Sequence, residues 1–242
     1  MDRFFVDPSQ ITVTTVTFSP SQASQLARVL RLRVGDHVLA LDNHGACYEV
    51  ALTSVTHTAA SGAIVSRSDA EGEPVTPVVL YQALLKGPKW EYVLQKCTEV
   101  GVAAFVPLIT QRCVALYEAD RWADRTSRWE AITREAAEQS GRGRIPAIDL
   151  PQEWKHALGG KSPHRLLLHP SGGPLSAVLE NVQAKGPLSL FVGPEGGFTD
   201  DEVAQAAQSG MHIVTLGKRT LRAETAGLVA AAAVLYALGE ME

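Results

Sequence analysis

Cysteine is scarce in this sequence, and its spacing excludes two classes of protein. The 242-residue chain has three cysteines, Cys47, Cys97 and Cys113, which are widely separated and form no CxxC pair. An odd, dispersed set argues against a disulfide framework and against a cysteine zinc site, and it is typical of a protein in a reducing cytoplasm. The seven histidines include no pair four residues apart on a predicted helix, so we expect no metal site.

Long apolar runs and a strong net charge are also absent. The longest strongly apolar run, residues 225–238, is shorter than the roughly 20 residues that a membrane-spanning helix needs. The first residues show no signal-peptide pattern, so we expect a cytoplasmic protein without a membrane partner. A net charge of −4 excludes a generic polyanion binder, so any nucleic-acid binding must come from local clusters of cations.

The composition of the chain changes near residue 70. The first 68 residues are rich in β-branched residues and turns, and about five short strands in such a span favour a small β-barrel. Within them, residues 20–30 predict a helix capped by Ser19. A polar segment with two prolines, residues 69–77, marks the boundary. The predicted domains are therefore residues 1–70 and residues 71–242. The strands predicted in the first domain are residues 11–18, 37–41, 48–55 and 63–66.

Beyond this boundary, apolar runs alternate with helical patterns. Such alternation, with nearly continuous apolar strands, predicts a mostly parallel sheet covered by helices on both faces. The expected fold class is therefore α/β, preceded by a small β domain. The predicted strands are residues 78–85, 105–109, 166–168, 188–192 and 213–216, and the clearest helices end at Gly101 and span residues 121–140.

A glycine-rich turn, residues 193–197 with the sequence Gly-Pro-Glu-Gly-Gly, ends one of these strands. It leads into a helix with Thr199 and Glu202 as a capping box. Ligands of open α/β sheets bind at the carboxyl ends of strands, where this turn lies. The turn lacks the GxGxxG spacing, and Asp200, Asp201 and Glu202 would repel an anion, so a neutral or cationic ligand is favoured. An ordinary capped helix after a tight turn explains the pattern equally well.

A second charged loop follows the last predicted strand. Lys218, Arg219, Arg222 and Glu224 immediately precede the apolar helix of residues 225–238. Charged groups beside a buried helix are destabilising unless they are paired. An Arg222–Glu224 ion pair is one interpretation, and a role at the mouth of the crevice formed by the glycine-rich turn is the other. The apolar helix also suits packing against a second subunit.

Several stretches, in order along nearly the whole chain, carry a resemblance to a known family. They are Arg28-Val29-Leu30-Arg31-Leu32, Gly35-Asp36, Gln95-Lys96, residues 99–102, Pro107-Leu108, Arg112-Cys113, residues 138–142, Ile145-Pro146, Leu168-His169-Pro170, residues 193–197, Leu216-Gly217 and residues 221–225. Together they resemble the ribosomal RNA small subunit methyltransferase E family. This family methylates N3 of a uridine in 16S rRNA and belongs to the knotted SPOUT superfamily.

The resemblance implies a PUA-like N-terminal barrel that binds RNA, a C-terminal α/β domain with a trefoil knot, and a homodimer that acts on 16S rRNA in the small ribosomal subunit. It implies S-adenosylmethionine as the cofactor, whose sulfonium cation agrees with the charge argument above. No metal is implied. Gln25 stands where members often carry histidine, so no histidine base is expected there. The residues implied to bind the cofactor are Leu168, His169, Gly193, Gly196, Gly197, Leu216, Gly217, Leu221, Arg222 and Ala226.

The implied chemistry assigns catalytic roles to two residues. Uracil N3 lies on the Watson–Crick edge, so the base must be unpaired or flipped before it can react. Arg222 is expected to stabilise the negative charge that develops when N3 loses its proton. Glu224 is expected to accept this proton, with pairing to Arg222 as the alternative.

Four arginines are expected to contact the RNA, with solvated salt bridges as the alternative. They are Arg3, Arg28, Arg31 and Arg142. Two other functions remain open: another base or ribose methyltransferase of the same superfamily, and an RNA-binding module without catalysis.

Overall fold

The structure, a computed structural model, describes residues 1–114, 122–180, 182 and 186–241. The chain divides into two units of closely packed residues. Unit 1 consists of Met1–Glu73 and Ala137–Ile145, and unit 2 consists of Pro74–Ala136 and Pro146–Glu242. The boundary expected at residue 70 is a boundary between functional domains. The division into packed units does not test it, so it stays a prediction.

Unit 1 contains a five-stranded sheet. Its strands are β1 (Arg3–Phe5), β2 (Thr15–Phe18), β3 (His37–Leu41), β4 (Ala46–Val55) and β5 (Ala60–Asp69), in the order β1-β3-β4-β5-β2. Strands β1 and β3 are parallel, and the other pairs are antiparallel. Among the described residues, the pairing begins at β1 and ends at β2 without joining them. The sheet is therefore open, and the expected closed barrel is not confirmed.

Local sequence explains most elements of unit 1. The strand predicted at residues 11–18 is confined to β2, because the Thr12 backbone N–H donates to the Thr15 carbonyl and forms a turn. Helix α1 (Pro20–Ser24) begins at Ser19, whose hydroxyl accepts from the Gln22 backbone N–H as expected, and continues as a π-helical turn over Gln25–Val29. The core of this unit includes the buried side chains of Phe4, Val16, Phe18, Leu26, Val38, Val50 and Leu52.

Unit 2 has the predicted α/β fold. Its strands are β6 (Val78–Ala83), β7 (Ala104–Ile109), β8 (Ala147–Ile148), β9 (Gln152–Glu153), β10 (His164–Pro174), β11 (Leu188–Val192) and β12 (His212–Thr215). The order is β12-β10-β11-β6-β7-β8, with β9 also paired to β7, and all these pairs are parallel. Every residue of β11 is buried, because helices cover both faces of the sheet.

The helices of unit 2 are α2 (Pro88–Glu99), α3 (Trp122–Ser140), α4 (Trp154–Ala157), α5 (Leu175–Leu179), α6 (Asp200–Gln208) and α7 (Ala223–Ala237), of which α3 continues into unit 1 from Ala137. Helix α2 has the predicted apolar spacing and ends just before Gly101, whose φ of +107° stops it as expected. Helix α7 packs against α2, β6 and β11 through small and apolar side chains, among them Ala230 and Val234. Arg121, the predicted first residue of α3, lies outside the described residues. No described helix has the length and apolar character needed to cross a bilayer.

Candidate active site

A cavity of about 730 Å³ opens at the carboxyl edge of the sheet in unit 2. Lys89 and Arg112 come from segments that follow β6 and β7, and Leu168 and His169 lie where β10 shifts register against β12. The turn after β11 and the loop after β12 supply most of the remaining wall. Parallel strands end at one edge of a sheet, so segments that are distant in sequence converge there.

The structure brings together every residue that was expected to bind the cofactor or to act in catalysis. Their shared location is an observation, whereas their individual roles stay predictions. The cavity is lined by Leu168, His169, Gly193, Gly196, Gly197, Leu216, Gly217, Leu221, Arg222, Glu224 and Ala226.

The glycine-rich turn of residues 193–197 forms one wall of the cavity. Gly197 has φ of +68°, which residues with side chains rarely adopt, and its amide donates to the Pro194 carbonyl at 2.9 Å. A Cβ atom at Gly197 would meet no atom within 4 Å. Arg112 fixes the same turn, because its Nη1 donates to the carbonyl oxygens of Gly196 (2.9 Å) and Phe198 (3.3 Å). The turn is therefore held in shape while Gly197 adjoins open space.

The acidic start of α6 serves a structural role in part. The capping box of Thr199 and Glu202 is confirmed. Glu202 is only 4% exposed, and its carboxylate accepts from the backbone N–H groups of Gln111 and Thr199, both at 2.8 Å. The expected repulsion of an anion must therefore come from the exposed Asp200 and Asp201, because the Glu202 carboxylate is directed to the protein backbone.

Two carboxylates, Glu195 and Glu224, line the cavity, and Lys89 lies near both. Lys89 Nζ is 3.1 Å from Glu195 Oε1 and 3.8 Å from Glu224 Oε2. Burial acts to raise the pKa of Glu195, but hydrogen bonds from its own backbone, from Lys89 and from the Lys86 backbone hold this pKa below its ordinary value. Glu224 Oε2 is buried and has no hydrogen-bond partner among the described residues. Such an atom favours a ligand that brings it positive charge or a proton.

Arg222 does not form the ion pair that its sequence position suggested. Among the described residues, the cation recorded beside Glu224 is Lys89. Arg222 occupies the N-cap position of α7, where its carbonyl accepts from the Thr225 and Ala226 backbone N–H groups, and its side chain is exposed at the cavity. A guanidinium in this position is available to a bound ligand. This supports the interpretation that Arg222 acts at the mouth of the crevice over the interpretation that it pairs with Glu224.

Lys89 and Arg112 also line the cavity, although neither was expected there from the sequence. Each lies a few residues beyond the end of a buried parallel strand, β6 or β7. The signal that identifies them is therefore the strand end, because all carboxyl ends of a parallel sheet share one edge. Because neither residue lies in a glycine-rich motif, the sequence pattern alone did not mark Lys89 or Arg112 as part of the site.

The four arginines expected to contact RNA lie in unit 1 and differ in exposure. Arg28 and Arg31 are exposed, Arg3 is half-buried, and Arg28 Nε donates to His57 Nδ1 at 3.3 Å. Arg142 is 2% exposed, and its Nε and Nη2 donate to the two carboxylate oxygens of Glu73 at 3.1 and 2.8 Å. A guanidinium in this environment is positioned for a structural role, and the expectation that Arg142 contacts RNA stays a prediction.

Comparison with known proteins places these features in a family. The model of the RNA methyltransferase domain family matches residues 71–235. A ribosomal RNA small subunit methyltransferase E of Synechocystis is 36% identical over 96% of this chain and 76% of its own length. The ribosomal RNA small subunit methyltransferase E of Neisseria gonorrhoeae, solved with bound S-adenosylmethionine, has a TM-score of 0.87 at 32% identity, covering 98% of this chain and 97% of that one. A methyltransferase of Legionella pneumophila, also solved with this cofactor, has a TM-score of 0.88 at 28% identity, covering 97% of each chain.

Proposed function

Because the chain belongs to the ribosomal RNA small subunit methyltransferase E family, we propose that it transfers a methyl group from S-adenosylmethionine to uracil N3 of a specific uridine in 16S rRNA. The observation that carries this proposal is the cavity of unit 2, where two glycine-bearing loops, an exposed arginine and a carboxylate with one buried oxygen meet. These groups suit binding of a cationic cofactor beside an electron-rich base.

The residues present fit S-adenosylmethionine. The unpartnered Glu224 Oε2 suits a cationic ligand, and the open space beside Gly197 admits close approach to the backbone. Val192, Leu168 and Leu221 add apolar surface suited to a purine ring and its ribose. The residues proposed to hold the cofactor are Leu168, His169, Gly193, Gly196, Gly197, Leu216, Gly217, Leu221, Arg222 and Ala226.

Two side chains of the cavity are proposed to handle the charge and the proton of the substrate. When bound, S-adenosylmethionine supplies an activated methyl group on a positively charged sulfur. Glu224 accepts the N3 proton, for which its Oε2 has a free acceptor position among the described residues. Arg222, exposed at the cavity, stabilises the negative charge that spreads over the uracil oxygens. The base must leave its stack to reach these groups.

The N-terminal region, residues 1–70, is proposed to form a PUA-like RNA-binding barrel, and residues 71–242 a methyltransferase domain with the trefoil knot of SPOUT proteins. Because the substrate is ribosomal RNA, we place the protein in the cytoplasm, with the small ribosomal subunit as its partner. Arg3, Arg28 and Arg31 are the proposed phosphate contacts. Alanine at each should lower the salt dependence of RNA binding by about one counterion and leave cofactor affinity unchanged.

A homodimer through α7 is also proposed. One face of α7 is buried in unit 2, whereas Val229 and Tyr236, seven residues apart on another face, are 38% and 69% exposed. Apolar side chains on one exposed face of a helix are typical of a subunit interface. Sedimentation equilibrium should give a dimer, and Tyr236→Glu should shift it toward monomer.

The proposed reaction is tested with purified protein, isolated small subunits and isotope-labelled S-adenosylmethionine. The small subunits come from a gene-deletion strain, whose rRNA should lack one N3-methyluridine. Mass spectrometry of nuclease-digested rRNA should show that the purified protein restores this nucleoside. Methylation of another base atom or of a ribose would identify a different methyltransferase. Glu224→Gln should lower turnover and change its pH profile, and a full loss of cofactor binding instead would contradict the role as proton acceptor.

A further inference from the structure

The cavity holds one lysine near two carboxylates, and the two distances are unequal. Lys89 Nζ lies within hydrogen-bonding distance of Glu195 Oε1, at 3.1 Å, but 3.8 Å from Glu224 Oε2. Lys89 therefore compensates Glu195 first. Glu224 Oε2, which is buried and has no hydrogen-bond partner among the described residues, keeps more of its negative charge uncompensated. A buried charge of this kind is destabilising until a cation reaches it.

The main chain makes this asymmetry a property of the fold. Helix α2 begins after Gly87, whose φ is +59°, and Pro88 opens the helix, so the position of Lys89 is set by the end of β6. The Lys86 backbone adds a hydrogen bond to Glu195. The segment of residues 86–89 thus contacts Glu195 at two points, through the Lys86 backbone and through Lys89 Nζ. Its contact with Glu224 is the single, longer distance of 3.8 Å from Lys89 Nζ.

On the basis of the proposed function, we infer that Lys89 is a specificity-determining residue. By neutralising Glu195, it leaves Glu224 as the carboxylate that favours the cationic S-adenosylmethionine over its neutral-sulfur product, S-adenosylhomocysteine. The two ligands differ only in the methyl group and the sulfonium charge. Methyl transfer converts the cationic sulfonium to a neutral thioether. The attraction between the Glu224 carboxylate and the sulfur is therefore present for the donor and lost for the product.

Calorimetric titration of the full chain with each ligand separately tests this inference without turnover. The quantity measured is the ratio of the product Kd to the donor Kd, which responds to charge and cancels effects common to both ligands. Glu224→Gln keeps the shape of the side chain and should lower this ratio about tenfold. Lys89→Met should raise it about threefold, because Glu195 then also acts as an uncompensated carboxylate.

Two matched variants separate charge from packing. Lys89→Arg keeps the cation and should leave the ratio within about twofold of the original, whereas Lys86→Met removes an exposed lysine that does not line the cavity and should leave it unchanged. Should Lys89→Met not fold, as judged by circular dichroism, Lys89→Gln replaces it with the same expected rise in the ratio, and Glu224→Gln tests the carboxylate independently.

The outcomes are distinguishable. If Lys89→Met weakens both ligands equally, or if Glu224→Gln leaves the ratio unchanged, the inference is overturned and Lys89 only supports the turn at Glu195. If the unmodified protein binds neither ligand, the proposed function itself fails. Donor binding by the unmodified protein together with unaltered ratios in the variants removes this inference alone and leaves the methyltransferase assignment in place.

Discussion

Removal of the Glu73 carboxylate should destabilise unit 1 strongly. Glu73 accepts two hydrogen bonds from the buried Arg142 guanidinium, at 3.1 and 2.8 Å, and one from the Arg144 backbone N–H at 3.0 Å. Glu73→Ala leaves a guanidinium that is 2% exposed without this counter-charge. Loss of one partner of a buried ion pair is destabilising by about 3–5 kcal/mol. We therefore expect a loss of about 4 kcal/mol, which is nearly a thousandfold in the folding equilibrium.

Hydrogen exchange is the appropriate assay for this loss. All four tryptophans, Trp90, Trp122, Trp129 and Trp154, belong to unit 2, so tryptophan fluorescence does not report on unit 1. Protection of the β3 and β4 backbone amides, followed by mass spectrometry, should fall by about a thousandfold if exchange occurs through unfolding of unit 1.

A control and a double variant complete the experiment. Glu71→Ala removes an exposed carboxylate two residues earlier and should change stability by less than about 0.5 kcal/mol. Glu73→Leu combined with Arg142→Met should be less destabilising than Glu73→Ala, because the buried guanidinium is then removed together with its carboxylate partner. If Glu73→Ala behaves like Glu71→Ala, the ion pair with Glu73 does not hold the Arg142 guanidinium in place. The prediction that Arg142 contacts RNA would then gain support.

Three further predictions concern the cavity and the core. Arg112→Ala removes the hydrogen bonds to the carbonyls of Gly196 and Phe198 and should weaken S-adenosylmethionine binding about tenfold by calorimetry; unchanged affinity would show that the turn holds its shape without Arg112. Gly197→Val places a side chain in open space beside the cavity and should block cofactor binding, but the φ of +68° also makes it destabilising by about 1–2 kcal/mol, so Gly197→Ala is the control for backbone strain alone. Burial raises the pKa of Cys97 to about 12, so the contribution of this thiol to stability is independent of pH below the unfolded pKa of about 8.5 and is lost as pH rises from there toward the folded value. Iodoacetamide at pH 8 should therefore modify Cys97 only in denaturant, and its modification in the native protein would contradict the burial.

The sequence alone was sufficient for the longer buried strands of unit 2 and for the two loops of the cavity, whereas the short strands β1, β8 and β9 were not predicted. Nearly continuous apolar runs identified the longer strands of unit 2, because a strand buried on both faces is composed mainly of apolar side chains. The cap at Ser19 and the capping box at Thr199 were predictable because both depend on residues close together in the chain. The resemblance added the cofactor-binding residues, all of which line one cavity.

Tertiary structure decided which charges meet. Arg222 and Glu224 are two residues apart in sequence, yet the cation that lies 3.8 Å from Glu224 Oε2 is Lys89, which the parallel strand order brings to the same sheet edge from far along the chain. Arg142, which the resemblance suggested as an RNA contact, is buried against Glu73. Pairing of side chains distant in sequence depends on strand order and burial, and local propensity contains neither of them.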